Sequence, residues 1–406
     1  MLGPSLHAIE AQARGFSKQY AKALADLAKQ LSAKRVPAVF TLMHLAKLSN
    51  TPWLLLNQTV SWQPRSDYNV FHIRKKSGGF RRICVPAPHL MRAQRWVHDY
   101  ILNSPGALEY LHKASTAYGK GNSILKNASA HAGSGWLIKV DIKDFFESIS
   151  ERQIYHVFRK FGYPALLAFE LTRICTRAIP PRYDGQPRRR DKTWRWSNAQ
   201  TQEDSAQPYA PRTTIGHLPQ GAPTSAMLAN YVAAAMDEVI QDIADEAGAT
   251  YTRYADDIVL SLASSDRPSC EAIFRRVCMA VTKKGFRLNE RKCLIRGPRS
   301  RKIVTGLVIN DVKPRLPKKI KDEIEVSLHC IGKLGLLSHI KHKKAKSPLG
   351  YLNHLNGLIR YAHSIDDRFG SWAASEFDRV LTRERETIDL LRSFREATPA
   401  NRHMFG

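Results

Sequence analysis

The chain has 406 residues, 43% of them hydrophobic, and 63 Lys or Arg against 36 Asp or Glu, a formal net charge of +27. That length is enough for two or three subdomains with a sizeable core, and that charge points to a polyanionic partner. Met1–Glu10 lacks the charged-then-apolar order of a secretory signal and no run of about 18 apolar residues occurs, so a cytosolic protein without a membrane span is expected.

Phe16, Tyr20, Leu24, Leu27 and Leu31 fall on one helical stripe, and a second helix is expected near Ala38–Leu48. Phe71–Pro86 reads as a β-hairpin turning at Gly78-Gly79. Its cations Lys75, Lys76, Arg81 and Arg82 either hold a triphosphate or coat a solvated hairpin. Trp136–Val140 is a short apolar strand with Asp141 at its end, and Asp144-Phe145-Phe146-Glu147 has the spacing of a capping box opening a helix. Asp141 then stands at the carboxyl edge of a strand, where open sheets place their chemistry, or is an ordinary helix-entry residue.

Residues 182–214 form a polar insertion carrying Arg188, Arg189, Arg190, Trp194 and Trp196, too long for a routine connection. Interleaved cations and aromatics suit stacking on single-stranded RNA or a protein partner, and a disordered loop has the same composition. His217–Ser225 is a Pro/Gly-rich loop holding Gln220 and running into a helix with Leu228, Val232, Met236, Val239 and Ile243 on one side.

Ala249–Arg253 and Ile258–Ser261 are strand-like runs separated only by Tyr254-Ala255-Asp256-Asp257, so the two acids sit at a hairpin tip. Two carboxylates beside an apolar sheet cost free energy unless cations or solvent compensate, and hard divalent cations take carboxylate oxygens. If the Asp141 strand is a neighbour, Asp141, Asp256 and Asp257 jointly suit two Mg²⁺ ions, the clamp used in phosphoryl and nucleotidyl transfer.

Residues 283–346 contain 19 Lys or Arg against five Asp or Glu, about half of the net charge, with Leu, Ile and Val interleaved. An RNA-facing helical segment is expected there, with binding that weakens steeply in salt. Helices are expected over Lys318–Leu337, Leu349–Ser364 and Asp366–Glu396. Cys84, Cys175, Cys270, Cys278, Cys293 and Cys330 include no Cys-x-x-Cys pair, so reduced and mostly buried thiols are expected.

In this order the blocks make the chain resemble the reverse transcriptase family, and within it the retron-type bacterial enzymes. The blocks are the hairpin ending Arg81-Arg82-Ile83, the Asp141 strand, Leu218-Pro219-Gln220-Gly221, Tyr254–Asp257, Gly285–Lys292 and Val304–Asn310. Asn127-Ala-Ser-Ala-His131 and Val304-Thr305-Gly306 look like retron signatures. The likeness covers roughly residues 65–310.

The resemblance implies an α+β right-hand polymerase with an antiparallel palm sheet. It divides the chain into a helical N-terminal region (1–64), fingers and palm (65–310) and a basic helical thumb (311–406). Asp141, Asp256 and Asp257 would be the catalytic metal ligands. Phe146 would be the bulky gate against a ribose 2′-hydroxyl, with Phe145 a core aromatic. Arg81 would contact the incoming deoxynucleoside triphosphate, with Lys75 or Lys76 beside it. Gln220 would contact nucleotide and template, and Lys292 the phosphates.

The implied partners are a cognate non-coding RNA, serving as template and primer, and its DNA product. A 2′-hydroxyl of a guanosine in that RNA would prime a branched hybrid, and His131 would help dock the RNA if it is not simply structural. An anti-phage role would require a separate effector protein. Residues after Asn310 show no RNase H cluster, leaving template removal to another enzyme. A group II intron-type reverse transcriptase and a non-catalytic RNA-binding scaffold are the competing readings. The shortness of the C-terminal part argues against the first and the presence of all three acids against the second.

Overall fold

The computed structural model describes residues 13, 15, 17–62, 65–75, 78–178, 215–345 and 347–397. The insertion at 182–214, Phe16, Lys76 and the first ten residues lie outside them. The chain divides into two compact units.

One unit gathers the described residues up to Ser123 with Ile138–Leu260 and Asp266–Ile295. Its first helix, Lys18–Ala33, is capped by Ser17, whose hydroxyl accepts from the Tyr20 amide. Ala21, Ala28 and Leu31 are its buried residues, whereas Tyr20, expected on the inner stripe, is exposed. Leu31 of the expected stripe is fully buried and Leu24 and Leu27 are half-buried, so the stripe is partly right, and the small Ala21 and Ala28 beside it complete the contact. The second helix is confined to Leu42–Leu48 behind the Thr41 cap. A further helix, Trp53–Trp62, buries Leu56 and Val60 and was not anticipated.

Strands β1 (Tyr68–Arg74) and β2 (Phe80–Pro86) pair antiparallel, with Phe71 opposite Ile83 and Ile73 opposite Arg81. Gly78 and Gly79 have φ of +88° and +76°, values at which a side chain is strained, and the Lys75 amide donates to the Gly79 carbonyl. The expected hairpin is therefore present.

The larger sheet has the order β4-β5-β3-β6, from β3 (Trp136–Asp141), β4 (Thr250–Tyr254), β5 (Asp257–Leu262) and β6 (Leu294–Arg296). Leu137, Ile138, Val140, Ile258, Val259 and Leu260 have no exposed surface. The 22-residue helix Ser225–Glu246 packs on β4. It buries Leu228, Met236 and Ile243 as expected, but Val232 and Val239 are half-buried, and Ala229, Ala233 and Ile240 complete the inner face.

The capping box expected at Asp144 is absent. Asp144 is left-handed at φ +50°, makes no capping hydrogen bond, and precedes a single turn, Phe145–Ser148. A box closes instead at Ser150, whose amide donates to Gln153 Oε1 and starts the helix Glu151–Phe161.

The other unit gathers Ile124–Leu137, Ser261–Ser265 and the described residues from Arg296 onward. It holds the helix Ile124–Ser129, the short ladder of β7 (Ile303–Val304) and β8 (Leu307–Val308), and five helices. Gly335, at φ +81°, divides the expected Lys318–Leu337 helix into Lys318–Leu334 and Leu336–Lys343. Pro348–His363 follows, and the last expected helix breaks at Glu384 into Asp367–Arg383 and Arg385–Ala397. A Cβ on Gly370 would lie 2.2 Å from His363 Cα, so glycine is what allows Asp367–Arg383 to pack against Pro348–His363.

Cys84, Cys175 and Cys270 are buried, but Cys278, Cys293 and Cys330 are half-buried, fewer buried thiols than expected; all six are free. Among the described residues no helix is long and apolar enough to cross a membrane.

Candidate active site

Asp141 and the hairpin tip meet. The Ile142 amide, just past the end of β3, donates to the Asp256 carbonyl at 2.9 Å. On the other side the Asn289 amide donates to the Asp141 carbonyl at 2.8 Å. Asp141 is thus fixed between the β4–β5 turn and the segment that carries Lys292.

The turn itself is held from below. Ala255 is left-handed at φ +57°, which costs roughly 1 kcal/mol in a residue with a Cβ. Arg253 Nη1 donates to the Ala255 carbonyl and to Asn230 Oδ1, both at 3.0 Å. Its Nε and Nη2 grip Asp237 Oδ1 and Oδ2, each at 2.7 Å, and Tyr251 Oη donates to Asp237 Oδ1 at 2.6 Å. Arg253 and Asp237 are completely buried. A bidentate, fully partnered pair is the form in which buried charges are tolerated, and here one donor is spent on the strained turn.

The carboxylates face cations. Asp141 Oδ1 accepts from Asn289 Nδ2 at 2.8 Å and Oδ2 from Lys292 Nζ at 3.0 Å. Asp257 Oδ2 accepts from Lys139 Nζ at 2.8 Å. Burial pushes the Asp256 carboxyl above its ordinary range, and the neighbouring Asp141 and Asp257 charges push the same way. Asp257 is also raised, by burial first and by Asp141, with Lys139 opposing. For Lys292 burial works against the charge, but its hydrogen bond to Asp141 and the three aspartate charges outweigh it and raise the ammonium pKa.

The chemistry of this donor set suits a hard divalent cation: it offers only oxygen, and burial with the neighbouring carboxylates disfavours the ionised form of two of its acids, which a cation would offset. As the side chains stand, Lys292 and Lys139 engage Asp141 and Asp257, and among the described residues no three His, Cys, Asp or Glu side chains are drawn together as a ligand set.

Gln220 is half-buried, and its carbonyl accepts from the Cys84 amide of β2 at 2.7 Å, which ties its loop to the β1–β2 hairpin. Gly221 sits at φ +109° where a Cβ would come within 2.9 Å of Ile83 Cγ2. Phe146 is half-buried, its ring 5.7 Å from that of Phe145, which is in the core as expected. Lys75 and Arg81 are exposed. Lys75 opposes the upward shift of the Glu147 carboxyl, and Arg81 opposes the upward push of Asp256 on the Tyr118 phenol, so both hairpin cations act electrostatically on groups beside Phe146.

Asn127 and His131 are buried in the core of the second unit, where His131 Nδ1 lies 2.7 Å from Ser261 Oγ. That hydrogen bond gives His131 a structural job.

Lys139, Asn289, Tyr118 and the Arg253–Asp237 pair belong to the site and were missed from sequence. The spacing of Lys139 held a signal, because residues two apart on a strand share a face and Asp141 follows it by two.

The sequence pattern of the family described as reverse transcriptase (RNA-dependent DNA polymerase) matches residues 73–305. Retron Ec86 reverse transcriptase of Escherichia coli is 30% identical over 315 residues, 75% of this chain and 82% of that protein. Retron Mx162 reverse transcriptase of Myxococcus xanthus is 29% identical over 336 residues, 80% of this chain and 62% of that protein. Among solved structures, a foamy viral protease-reverse transcriptase in complex with double-stranded DNA superposes with a TM-score of 0.38 at 15% identity. That superposition covers 81% of this chain and 45% of the viral one, and a likeness at this level adds nothing to the sequence match.

Proposed function

This chain belongs to the reverse transcriptase family, among the retron-type enzymes, and is an RNA-directed DNA polymerase; from that premise we propose that it copies a cognate structured non-coding RNA into single-stranded DNA that stays joined to the RNA. The observation that carries the site is the Ile142–Asp256 hydrogen bond, which sets Asp141 beside the Asp256-Asp257 tip.

Asp141, Asp256 and Asp257 would hold two Mg²⁺ ions, which supply the Lewis acidity that nucleotidyl transfer needs. The remaining residues position the reactants. Arg81, Lys75 and Lys292 neutralise the triphosphate of the incoming deoxynucleotide, and Gln220 offers a donor and an acceptor to nucleotide and template. Phe146 fills the space a ribose 2′-hydroxyl would need. A 3′-hydroxyl attacks the α-phosphate, the new phosphodiester forms, and pyrophosphate leaves with the broken bond.

In the first cycle the attacking group is a 2′-hydroxyl of the RNA itself, which leaves a branch. The basic helices of the second unit bind the RNA through its phosphates. The setting is cytoplasmic anti-phage defence, with toxicity residing in a separate effector protein.

The test is the nucleic acid that co-purifies from the host. DNA linked to RNA through a bond that a 2′–5′ debranching enzyme releases is the expected finding. Linear, 3′-primed DNA alone contradicts the branched product while leaving the polymerase activity intact.

A further inference from the structure

We propose that Tyr118 is a positioning residue for Phe146 and thereby a determinant of the choice between deoxyribo- and ribonucleotides. The inference rests on the reading of Phe146 as the sugar gate and adds the group that holds the gate in place.

Phe146 lies on a helix of one turn, preceded by left-handed Asp144 with no capping hydrogen bond. So short a helix has little stability of its own. Phe145, its neighbour, is anchored: it is 4% exposed and packs on Phe286 and under the Arg253 guanidinium. Phe146 is only half-buried. Its aromatic contacts among the described residues are Phe145, on its own turn, and Tyr118, whose ring centroid is 6.4 Å away. Tyr118 also lies 6.3 Å from the ring of Tyr254, at the start of the catalytic turn. One ring therefore bridges the gate and the hairpin that carries Asp256.

Tyr118 is itself built in, although 44% of it is exposed. Its backbone is left-handed at φ +66°, an uncommon state for a bulky residue that the surroundings must enforce. The enforcing contacts come from the network under the catalytic turn. The Thr116 amide and hydroxyl both donate to the Arg253 carbonyl, at 2.9 and 3.1 Å, and the Arg253 amide donates to the Ala114 carbonyl. Asn230, which accepts from Arg253, donates through Nδ2 to the Ala117 carbonyl at 2.9 Å. The segment that presents Tyr118 and the turn that presents Asp256 are thus fixed to the same buried arginine.

The electrostatics agree with this placement. Burial, then the Asp256 charge, pushes the Tyr118 phenol up to about 12, with Arg253 and Arg81 opposing, so the ring beside Phe146 is neutral at physiological pH. A gate discriminates only while it cannot swing aside. Without the ring of Tyr118, Phe146 gains room on the side facing Tyr254, and a 2′-hydroxyl can be accommodated.

The experiment measures single-nucleotide incorporation of dGTP and GTP on an RNA template, taking kcat and KM separately. The proteins are wild type, Tyr118→Phe, Tyr118→Asn, Phe146→Ala and the Tyr118→Asn, Phe146→Ala double variant. Asn removes the ring while accepting left-handed backbone, and Tyr118→Ala is the second ring-less variant should Asn fail to fold. Expected is a fall in the dGTP-to-GTP ratio of kcat/KM of about tenfold for Tyr118→Asn, the discrimination that one small group supplies in a selective pocket, arising from better use of GTP. Tyr118→Phe restores the wild-type ratio, and the double variant is no less selective than Phe146→Ala alone, because both changes remove one device. Equal losses with both nucleotides, or additive effects in the double variant, overturn the proposal. An unchanged ratio in Phe146→Ala overturns the gate assignment beneath it, and that single variant makes the two failures distinguishable.

Discussion

Lys139 Nζ lies 2.8 Å from Asp257 Oδ2, so the second aspartate of the hairpin tip is held by a lysine two residues ahead of Asp141 on the same strand. Both side chains are largely shielded from water, where such a pair is screened little. Lys139 therefore helps keep Asp257 ionised in a setting whose burial favours the acid.

Replacing Lys139 by Met removes the main group that opposes the rise of the Asp257 pKa, leaving the weaker effect of Lys292. The acid limb of the rate against pH is expected to move to higher pH in Lys139→Met, measured as initial extension rate at saturating Mg²⁺. An acid limb that stays where it is in wild type contradicts this use of the lysine.

The same shifts set a stability against pH. Asp256 and Asp257 have folded pKa values raised above those of the unfolded chain, mainly by burial. Such groups favour the folded state below the ordinary carboxylate range, and that contribution is lost as pH rises through the raised values. At neutral pH, without divalent metal, ionising the pair therefore opposes folding. Asp256→Asn is expected to have a higher Tm than wild type in EDTA, and Mg²⁺ is expected to raise the Tm of wild type more than that of the variant. Calorimetry in the two buffers checks both; a lower Tm for the variant in EDTA contradicts the reading.

The buried Arg253–Asp237 pair gives a different signature. Arg253→Met leaves Asp237 charged and buried without its partner, at a cost of about 3–5 kcal/mol. Arg253→Met with Asp237→Leu removes both charges and is expected to recover most of that loss in urea denaturation. Extension by the double variant is nevertheless expected to remain low, since the Ala255 carbonyl no longer has its donor.

Much of the site was legible because it rests on local chemistry. Two acids between two β-rich runs can only be a hairpin tip, and an apolar run ending in Asp141 reads as a strand without further help. Adjacency of the two strands was a supposition from sequence, and the sheet order β4-β5-β3-β6 supplies it. What was not legible depends on partners distant in sequence. Arg253 and Asp237 look like surface charges until burial pairs them, Tyr118 lies in a run with no periodicity, and Lys139, although its spacing puts it on the face of Asp141, pairs with Asp257 118 residues away. The capping box was misplaced for a related reason: the spacing at Asp144 matches, but left-handed backbone at that residue aims its side chain elsewhere, and the motif that closes is Ser150 with Gln153.

The cationic second unit should bind RNA mainly through phosphates. Lys341, Lys343 and Lys344 fall in the last turn of one helix and just after it, and all three are exposed. Changing them together to Gln is expected to weaken RNA binding and to flatten the plot of log affinity against log salt by roughly 0.7–0.9 for each phosphate left without its cation. Fluorescence anisotropy from low to moderate salt measures it, and an unchanged slope places the RNA elsewhere.

Metal-dependent primer extension on an RNA template bears most directly on the three aspartates. Wild type, Asp141→Asn, Asp256→Asn and Asp257→Asn would be compared at matched folded concentration, each with a parallel calorimetric titration of Mg²⁺. Extension by wild type, its collapse in Asp141→Asn and Asp256→Asn, and weakened Mg²⁺ binding in all three variants are the predicted results. Undiminished extension and Mg²⁺ binding in Asp141→Asn would contradict the assignment.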